Sequence, residues 1–496
     1  MMIHALSPNL ERNKQLIQNL FGHSDDIQYE YFQINTVYAE PKLIMSVMVS
    51  GLADKDQIHP SVITPLLQHT FVLTTSMIDE AQNHIAIKNT TRFHSIEPCL
   101  SMLLQGGVAL FFDGEEECLV IIAPALPERS IEEPGFEMSV RGSHEGFVES
   151  IGTNMALIRK RIKDPRLRFH PYEFGSITHT KLVIAYIEGL TAPEILHYVK
   201  QKLQEIQLDS ITSSGEIEQI VEDNPLSIFA TIGNTEKPDR AAALLTEGRI
   251  IIIVDGDPTT LYGPHLFVES FQGVEDYSSR PYYVTLLRIL RFLSLPVSVL
   301  TPGLYISATN FHKEMIPTAL IPSFQGFNEK APFPVSFEIF IMLIGFELVR
   351  EAGIRLPKTV GSAVSIVGAL ILGQVSVDAG LMTPPAIIVV ATSIISGFLL
   401  TSIADVVSIL RLIYLVSASI FGLFGVIMVT LVTFTHMVSL TSFGVSFMAP
   451  LAPLYFSDWK DTIIRMPIRF FSKRPHSIPV QQQTRIKELP KRKGHP

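Results

Sequence analysis

The chain has 496 residues, which exceeds the usual size of one domain, and its charge is unevenly divided. Residues 1–280 carry 21 Lys and Arg against 38 Asp and Glu, whereas residues 281–496 carry 18 against 10. The dense basic run lies in the tail after the apolar region, so neither half is typical of a nucleic-acid-binding protein. The acidic first half is typical of a soluble, folded region, and the apolar second half is typical of a membrane-embedded one.

The sequence contains none of the short motifs that identify common catalytic sites. It lacks a P-loop, GxGxxG, HExxH, CxxC and GxSxG, and its 15 histidines do not have metal-site spacing. We therefore expect no enzyme activity, cofactor or metal, although a site assembled from distant residues stays open. The two cysteines, Cys99 and Cys118, form no disulfide framework. The N-terminus lacks the apolar core of a secretory signal, so we expect the first half to stay in the cytoplasm.

The first half contains a weak internal repeat. KLIMSVMVSGLADKDQI (42–58) resembles TKLVIAYIEGLTAPEIL (180–196), and each has the pattern of a strand, a Gly-Leu pair and a helix start. GGVALFFDG (106–114) resembles EGRIIIIVDG (247–256), and each has the pattern of a strand that ends in an Asp-Gly turn. The repeat predicts two related α/β subdomains.

These patterns divide the chain into five predicted parts. In chain order they are a cytoplasmic α/β subdomain at 1–134, a helical linker at 135–164, a second α/β subdomain at 165–280, an integral membrane domain at 281–456 and a basic cytoplasmic tail at 457–496. The linker is predicted to be helical because its apolar residues recur at helical spacing. The fold class is therefore an α/β soluble half of two related subdomains, followed by an all-α polytopic membrane domain.

The membrane domain contains about five apolar segments. They lie near 284–306, 333–349, 359–377, 384–404 and 408–436. The third and fourth are convincing membrane spans, and the fifth is long enough to cross a bilayer with tilt or a break. Five crossings would place the tail opposite the first half, but basic tails are usually cytoplasmic. Either one segment does not cross or residues 439–456 add a sixth crossing, and we expect both ends in the cytoplasm.

Many ordered motifs resemble one family, the A subunits of GerA-type spore germinant receptors, over most of the chain. RGSHEGFVE (141–149) is similar to the family's RGPxEGFxE signature, and the linker ending in LIRKRIKD (157–164) also matches. Ser143 and Ser446 stand where the family usually has proline, which puts local turn geometry in doubt. The other similar segments are NTEKPD (234–239), EGRIIIIVDGDP (247–258), VEDYSSRPYY (274–283), IPTALIPS (316–323), FELVREAGIRLPKTVG (346–361), SIVGALILGQ (365–374) and SFGVSFMAPLAP (442–453).

The resemblance implies a protein of the spore inner membrane that takes part in nutrient-triggered germination. It implies a complex with a B subunit, which is similar to amino-acid transporters, and with a C subunit, which is a lipoprotein. It also implies assembly with copies of itself into a ligand-gated channel for monovalent cations, in contact with membrane lipid. The B subunit is favoured as the nutrient binder, so a small nutrient would act on this chain indirectly.

Two apolar segments are candidates for lining a pore. In the first, small or polar residues form a stripe made of Ser362, Ala369, Gly373 and Ser376, with Ser365 and Gln374 at its edges. Small residues also allow helices to pack closely, and packing is the favoured interpretation of this stripe. In the second, a ring of Glu338 side chains from several copies would attract cations. The alternative for an acidic residue here is partial burial beside Arg350 or Arg355, which is favoured for Glu347 and left open for Glu338.

Two groups of charged residues are candidates for contacts between parts of the receptor. At the membrane interface they are Arg288, Arg291, Glu347, Arg350, Glu351 and Arg355. At a contact between subdomains or subunits they are Arg141, Glu145, Glu149, Arg159 and Arg161. A solvated helix with salt bridges explains the second group equally well. Any signal from the soluble half has to pass through residues 274–300, so Arg288→Ala and Arg291→Ala are expected to uncouple the halves.

Three functions are compatible with these features. The chain is a channel-forming receptor subunit, a non-conducting scaffold or nutrient-binding subunit, or a secondary transporter. A transporter is expected to have inverted repeats in its membrane region, whereas the repeat in this chain lies in the soluble half. A pore made from so few helices needs several copies around an axis, so the oligomeric state separates the first two functions.

Overall fold

The computed structural model describes residues 5–37, 40–72, 76–125, 142–319, 326 and 332–485, without the side chains of residues 358, 359 and 362. An α/β region occupies the described residues up to 280 and contains two sheets. We call the units built on the first and second sheets subdomain 1 and subdomain 2. Residues 281–440, which are mostly helical, form the helical half, and residues 441–485 form the C-terminal segment.

Subdomain 1 is a six-stranded sheet between two layers of helices. Its strands are β1 (Ile27–Thr36), β2 (Lys42–Val49), β3 (Thr70–Phe71), β4 (Thr90–Phe93), β5 (Gly107–Phe112) and β6 (Cys118–Ile122). Their order is β3-β1-β2-β5-β6-β4, and all neighbours are antiparallel except β1 and β3. Because side chains alternate along a strand, Leu110 enters one apolar core and Phe111 the other. The helices are α1 (Leu10–Phe21), α2 (Lys55–Ile58), α3 (Thr64–Gln68), α4 (Met77–His84) and α5 (Ile96–Leu103).

Subdomain 2 repeats this arrangement. Its strands are β7 (Leu167–Phe174), β8 (Thr180–Ile187), β9 (Gly233–Thr235), β10 (Ile250–Val254) and β11 (Thr260–Gly263), and its helices are α6 (Ile151–Arg161), α7 (Pro193–Gln204), α8 (Ser214–Val221) and α9 (Pro238–Thr246). The strand order β7-β8-β10-β11-β9 equals that of the first sheet once the short β3 is set aside. The repeated sequence segments fall on β2 and β8 and on β5 and β10, which hold equivalent central places in the two sheets.

The helical half packs around one large apolar cluster. Its helices are α10 (Pro281–Ile306), α11 (Val335–Arg355), α12 (Lys358–Leu370), α13 (Ser376–Asp378), α14 (Pro384–Gly397) and α15 (Ala404–Ser439). Two helical segments, Pro281–Phe311 and Thr401–Ser439, are long and apolar enough to cross a bilayer. Ala363–Asp378 and Pro384–Gly397 are shorter apolar helices.

Helix α15 folds back on itself at Gly422. This residue has φ 61° and ψ −142°, which is not a helical conformation. The Tyr414 hydroxyl donates to Thr430 Oγ1 at 3.0 Å, although 16 residues of straight helix would separate these residues by about 24 Å. The helix is therefore two antiparallel runs, 404–421 and 423–439. The break that the sequence allowed in the fifth segment is therefore a reversal of the chain, and one apolar stretch supplies two passes through the bundle.

The chain after α15 returns to subdomain 2. Residues of a small hairpin, β12 (Thr441–Ser442) and β13 (Val445–Ser446), contact it, and the His265 amide donates to Ser442 Oγ at 2.8 Å. Residues 439–456 therefore lie against subdomain 2, and they do not form the sixth crossing considered from the sequence. Farther along, the Gln481 amide donates to the Leu190 carbonyl at 3.0 Å, so the described part of the basic tail is also anchored there.

Candidate functional site

Arg288 lies at the centre of the junction between subdomain 2, the helical half and the C-terminal segment. Its side chain is fully buried, and its Nε donates to Asp276 Oδ2 at 2.8 Å. Its Nη1 donates to Asp461 Oδ1 at 3.0 Å and to the Asp461 carbonyl at 2.5 Å. A buried guanidinium is costly to desolvate, and good geometry with several acceptors is what makes such a pair tolerable. The three parts of the chain are therefore held at one point.

Arg291 lies one turn farther along α10 and completes the same cluster. Its Nη1 donates to Asp276 Oδ1 at 2.9 Å, and its Nη2 donates to Glu275 Oε1 at 3.2 Å. Residues three apart on a helix lie on the same face, which explains why Arg288 and Arg291 can share the two oxygens of Asp276. The two coupling residues predicted from the sequence are therefore brought together by one carboxylate.

A second buried ion pair lies in subdomain 2 beside this junction. Arg249 pairs with Glu269 through both guanidinium Nη atoms, and both side chains are less than one-tenth exposed. His265 Nδ1 lies 3.2 Å from Glu269 Oε2. Burial would raise the pKa of Glu269, but Arg249 and His265 together lower it to about 2. This carboxylate therefore stays charged at any physiological pH.

Arg159 lies on α6, the helix of the predicted linker, and joins the two subdomains. Its Nε and Nη2 donate to the two carboxylate oxygens of Asp26, at 2.8 and 3.0 Å, and neither side chain is exposed. The guanidinium also lies over the ring of Phe169, with its Cζ 5.1 Å from the centroid. This bidentate, fully buried ion pair fixes the orientation of subdomain 1 on subdomain 2.

The other residues predicted for a subdomain or subunit contact have different environments. Arg161 donates to Glu145 at 2.5 Å and also contacts Asp239, so it ties the linker to subdomain 2. Burial would raise the pKa of Glu145, but Lys160 and Arg161 hold it below its usual value. The side chain of Glu149 is exposed, and Arg141 lies outside the described residues.

Subdomain 2 also contacts the end of α15, through a group of acidic residues. Asp223 Oδ2 accepts a hydrogen bond from Thr441 Oγ1 at 2.7 Å. Glu218 lies one turn earlier, on α8, where burial and the neighbouring carboxylate of Glu222 raise its pKa to about 7. The Glu218 side chain of α8 therefore changes its protonation state near neutral pH.

Replacing Glu218 by glutamine is expected to stabilise the protein above neutral pH. The folded-state pKa of about 7 exceeds the ordinary 4.5, so the folded state binds the proton more tightly and loses stability as pH rises between these values. At pH about 8 we expect Glu218→Gln to raise the free energy of unfolding by about 2 kcal/mol, and at pH about 4 by little. Denaturant unfolding at both pH values measures this, with the exposed Glu194→Gln as control. An equal effect at both pH values would contradict the assignment.

Glu347 forms the ion pair predicted with Arg350. The two side chains approach to 2.7 Å, and Ser408 bridges them from α15, accepting from Arg350 and donating to Glu347. Arg411 lies 3.7 Å from Glu347 and donates to Ser298 Oγ at 2.8 Å, which links this cluster to α10. Arg355 and Glu351 form an exposed ion pair one helical turn apart, and such a pair contributes little to the stability of the fold.

The stripe of small residues on α12 lines a cavity of about 530 Å³ between α11, α12 and α14. Ser365, Ala369 and Gly373 contribute to its otherwise mainly apolar wall. The hydroxyls of Ser365 and Ser376 donate to carbonyls of their own helical segment, at 2.9 and 2.8 Å. Within this chain these two hydroxyls are therefore satisfied by the backbone of their own helical segment. Gln374 is exposed, and the side chain of Ser362 lies outside the described part.

Glu338 lies inside the helical half and not on its surface. It is fully buried, and its Oε2 accepts a hydrogen bond from Thr383 Oγ1 at 2.9 Å. The side chain is therefore not exposed on the surface, as a ring of Glu338 side chains around a pore between copies would require. Its hydrogen-bond partner is also a threonine, and neither Arg350 nor Arg355, considered from the sequence, pairs with it.

The partners of the predicted arginines were not identified from the sequence. Asp26, Asp276 and Asp461 each accept hydrogen bonds from a buried arginine of another part of the chain. Two of these pairs span 133 and 173 residues of sequence, so no local spacing reveals them. One sequence signal was available: Asp276 lies in VEDYSSRPYY (274–283), a segment that is similar to the family.

Comparisons with known proteins identify the family to which the sequence is similar. The family described as Bacillus/Clostridium GerA spore germination protein matches residues 15–477. Spore germination protein KA of Bacillus subtilis (strain 168) is 39% identical over 97% of this chain and 88% of its own length. The membrane protein YfkQ of the same organism is 35% identical over 95% of this chain and 91% of its own.

A solved structure is also similar to part of the chain. It is the N-terminal domain of the A subunit of the Bacillus megaterium spore germinant receptor GerK3, with 31% identity, a TM-score of 0.40, and coverage of 54% of this chain and 99% of that one. Two findings decide the classification. One family profile matches most of the sequence, and the two relatives share many identical residues with this chain over most of their own length. The chain belongs to the GerA family of spore germination proteins.

Proposed function

We propose that this protein is the A subunit of a nutrient germinant receptor in the spore inner membrane, where it helps to trigger germination. In this proposal it works with a transporter-like B subunit and a lipoprotein C subunit. Several copies of the chain surround a pore for monovalent cations that opens when nutrient is sensed. Family membership and the names of the relatives support the role in germination.

The path of the chain through the helical half supports six membrane crossings. The start of α10 and the end of α15 both contact subdomain 2, through Arg288 with Asp276 and through His436 with Ser227 Oγ at 3.0 Å. Two ends that meet the same soluble unit require an even number of crossings. Exposed apolar side chains such as Leu293 and Val432 would then face lipid or neighbouring copies. The soluble subdomains and the basic tail would share the cytoplasmic side.

This topology predicts the labelling of single cysteines by a membrane-impermeant maleimide in vesicles. Glu314→Cys and Phe421→Cys, at two turns far from subdomain 2, should react from one side of the membrane. Leu356→Cys and Ser457→Cys should react from the opposite side. The native Cys99 and Cys118 are fully buried and provide a low background. Labelling of Phe421→Cys from the same side as Leu356→Cys would contradict the six-crossing arrangement.

The junction around Arg288 is the observation that carries the proposed transmission of a signal. A buried guanidinium bound to both Asp276 and Asp461 loses charge-assisted hydrogen bonds in the interior when either partner moves away, which is costly. A movement of subdomain 2 is therefore expected to move α10 as a rigid body, and α10 packs against α14 and α15. In this way a change in the soluble half would reach the helices that surround the pore.

The channel proposal is tested by the native mass of the full chain in mild detergent, followed by ion flux. We expect a closed ring of several identical copies, which releases K⁺ from loaded liposomes when gating is triggered. A monomer that assembles only with unlike subunits would support the scaffold interpretation instead. Rings that conduct no ions would also contradict the channel, while leaving the role in germination intact.

One observation favours the alternative of a nutrient-binding subunit. A cavity of about 350 Å³ opens beside the junction, and both cationic and anionic side chains line it, among them Arg465, Arg485 and Glu247. A cavity of this size with a few polar groups is typical of small-ligand sites. Titration calorimetry of the purified chain with candidate nutrients tests this alternative, and heats that disappear in Arg465→Ala would support it.

A further inference from the structure

Glu338 lies in surroundings that leave one of its oxygens without a partner. The side chain is fully buried, as are neighbouring apolar residues of α11 such as Ile339 and Met342. Oε2 accepts the hydrogen bond from Thr383, whereas Oε1 is buried and has no hydrogen-bond partner among the described residues. A buried carboxylate with an unsatisfied oxygen needs a positive or hydrogen-donating partner.

Three elements of the helical half meet at this carboxylate. Glu338 lies in the first turn of α11, and Thr383 is the N-cap residue of α14. Tyr305 reaches the same point from α10. Its hydroxyl contacts Thr383 and lies close enough to the Glu338 carboxylate to interact with it electrostatically. The cluster is made of oxygen atoms alone, which is the donor type that alkali and alkaline-earth cations take.

The charge of the cluster decides which cation it fits. The described residues contain no group of three or more acidic, histidine or cysteine side chains placed to hold a metal, so Glu338 supplies a single negative charge. The N-termini of α11 and α14 favour the ionised carboxylate, but a helix terminus offsets only a small part of the cost of burying an unpaired charge. One further positive charge would balance the site, and this is the charge of a monovalent ion.

We propose that Glu338, Thr383 and Tyr305 bind a monovalent metal cation, such as Na⁺ or K⁺, inside each copy of the chain. The bound ion would neutralise the carboxylate and hold α10, α11 and α14 together. This site is separate from a pore formed between copies, because Glu338 is buried within one chain. The inference therefore holds whether or not the protein conducts ions.

Thermal unfolding of the full chain in detergent tests the site. The midpoint should rise by about 2 °C or more when Na⁺ or K⁺ replaces choline at constant ionic strength and pH. The increase should follow the logarithm of the cation concentration, and it should be lost in Glu338→Gln. Glu314→Gln, an exposed change in the loop between α10 and α11, is the matched control and should keep the full shift.

Several results would overturn the proposal. Equal midpoints in choline, Na⁺ and K⁺ for the unaltered chain would show that Glu338 serves only as a helix cap or holds a proton, and this outcome does not depend on whether a variant folds. A cation-specific shift that persists in Glu338→Gln would place the ion elsewhere. Loss of the shift in Glu314→Gln as well would show a general effect of charge at this end of the bundle.

Discussion

Spores that rely on a chain carrying Arg288→Ala are expected to lose their germination response, and the purified variant is expected to lose about 3 kcal/mol of stability. The substitution removes a fully buried guanidinium that binds both Asp276 and Asp461. Asp276 keeps Arg291, but the junction loses its contact between α10 and the C-terminal segment. Denaturant unfolding measures the stability, and release of dipicolinate or loss of optical density measures germination.

Arg291→Ala is the matched control for this prediction. It removes the same chemical group from the same cluster, but its side chain is 15% exposed, its partner Glu275 is one-third exposed, and its buried partner Asp276 keeps Arg288. Pairs with access to water contribute at most about 1 kcal/mol, so the structure ranks two substitutions that the sequence treats alike. Normal germination with Arg288→Ala would contradict coupling through this junction.

The sequence predicted the elements of the α/β half better than their connections. Alternation of apolar side chains and the Gly-Leu and Asp-Gly pairs identified β2, β5, β8 and β10, because these signals depend on residues close together in the chain. The strand order depends on which strands pair, and nothing local in the sequence records it. The internal repeat carried the missing information in part, since similar segments occupy equivalent strands in the two sheets.

The candidate site shows the same limit at the level of side chains. Arg288 was named because a charge beside an apolar run is conspicuous, and Arg159 was named because charged residues crowd the predicted linker helix. Their partners Asp276, Asp461 and Asp26 were not, because an aspartate in a polar loop is ordinary until the fold buries it. Glu338 was named for the same reason as Arg288, but its environment depends on Thr383 and on a tyrosine from another helix.

The hairpin in α15 was missed because its turn has the composition of a helix. Residues 417–425 read SASIFGLFG, without proline or a charged residue, and the pair Ala418 and Gly422 is typical of a helix–helix contact. The structure confirms close packing, since Ala418 lies against Gly303 of α10. Gly422 instead takes a conformation with positive φ, which reverses the chain and makes the number of helical passes even.

Gly422→Ala is therefore expected to destabilise the helical half by about 3 kcal/mol. Its φ of 61° with ψ of −142° is essentially restricted to glycine, and an added Cβ would lie 2.8 Å from Cγ of Phe311, so the ring would have to move. The same change at Gly152, in α6, meets no atom within 4 Å and should be neutral or slightly stabilising. Thermal unfolding compares the two variants, and maleimide labelling of Phe421→Cys reports whether the hairpin still forms. If Gly422→Ala were as stable as Gly152→Ala, α15 would be a continuous helix, and the two ends of the helical half could not meet the same soluble subdomain.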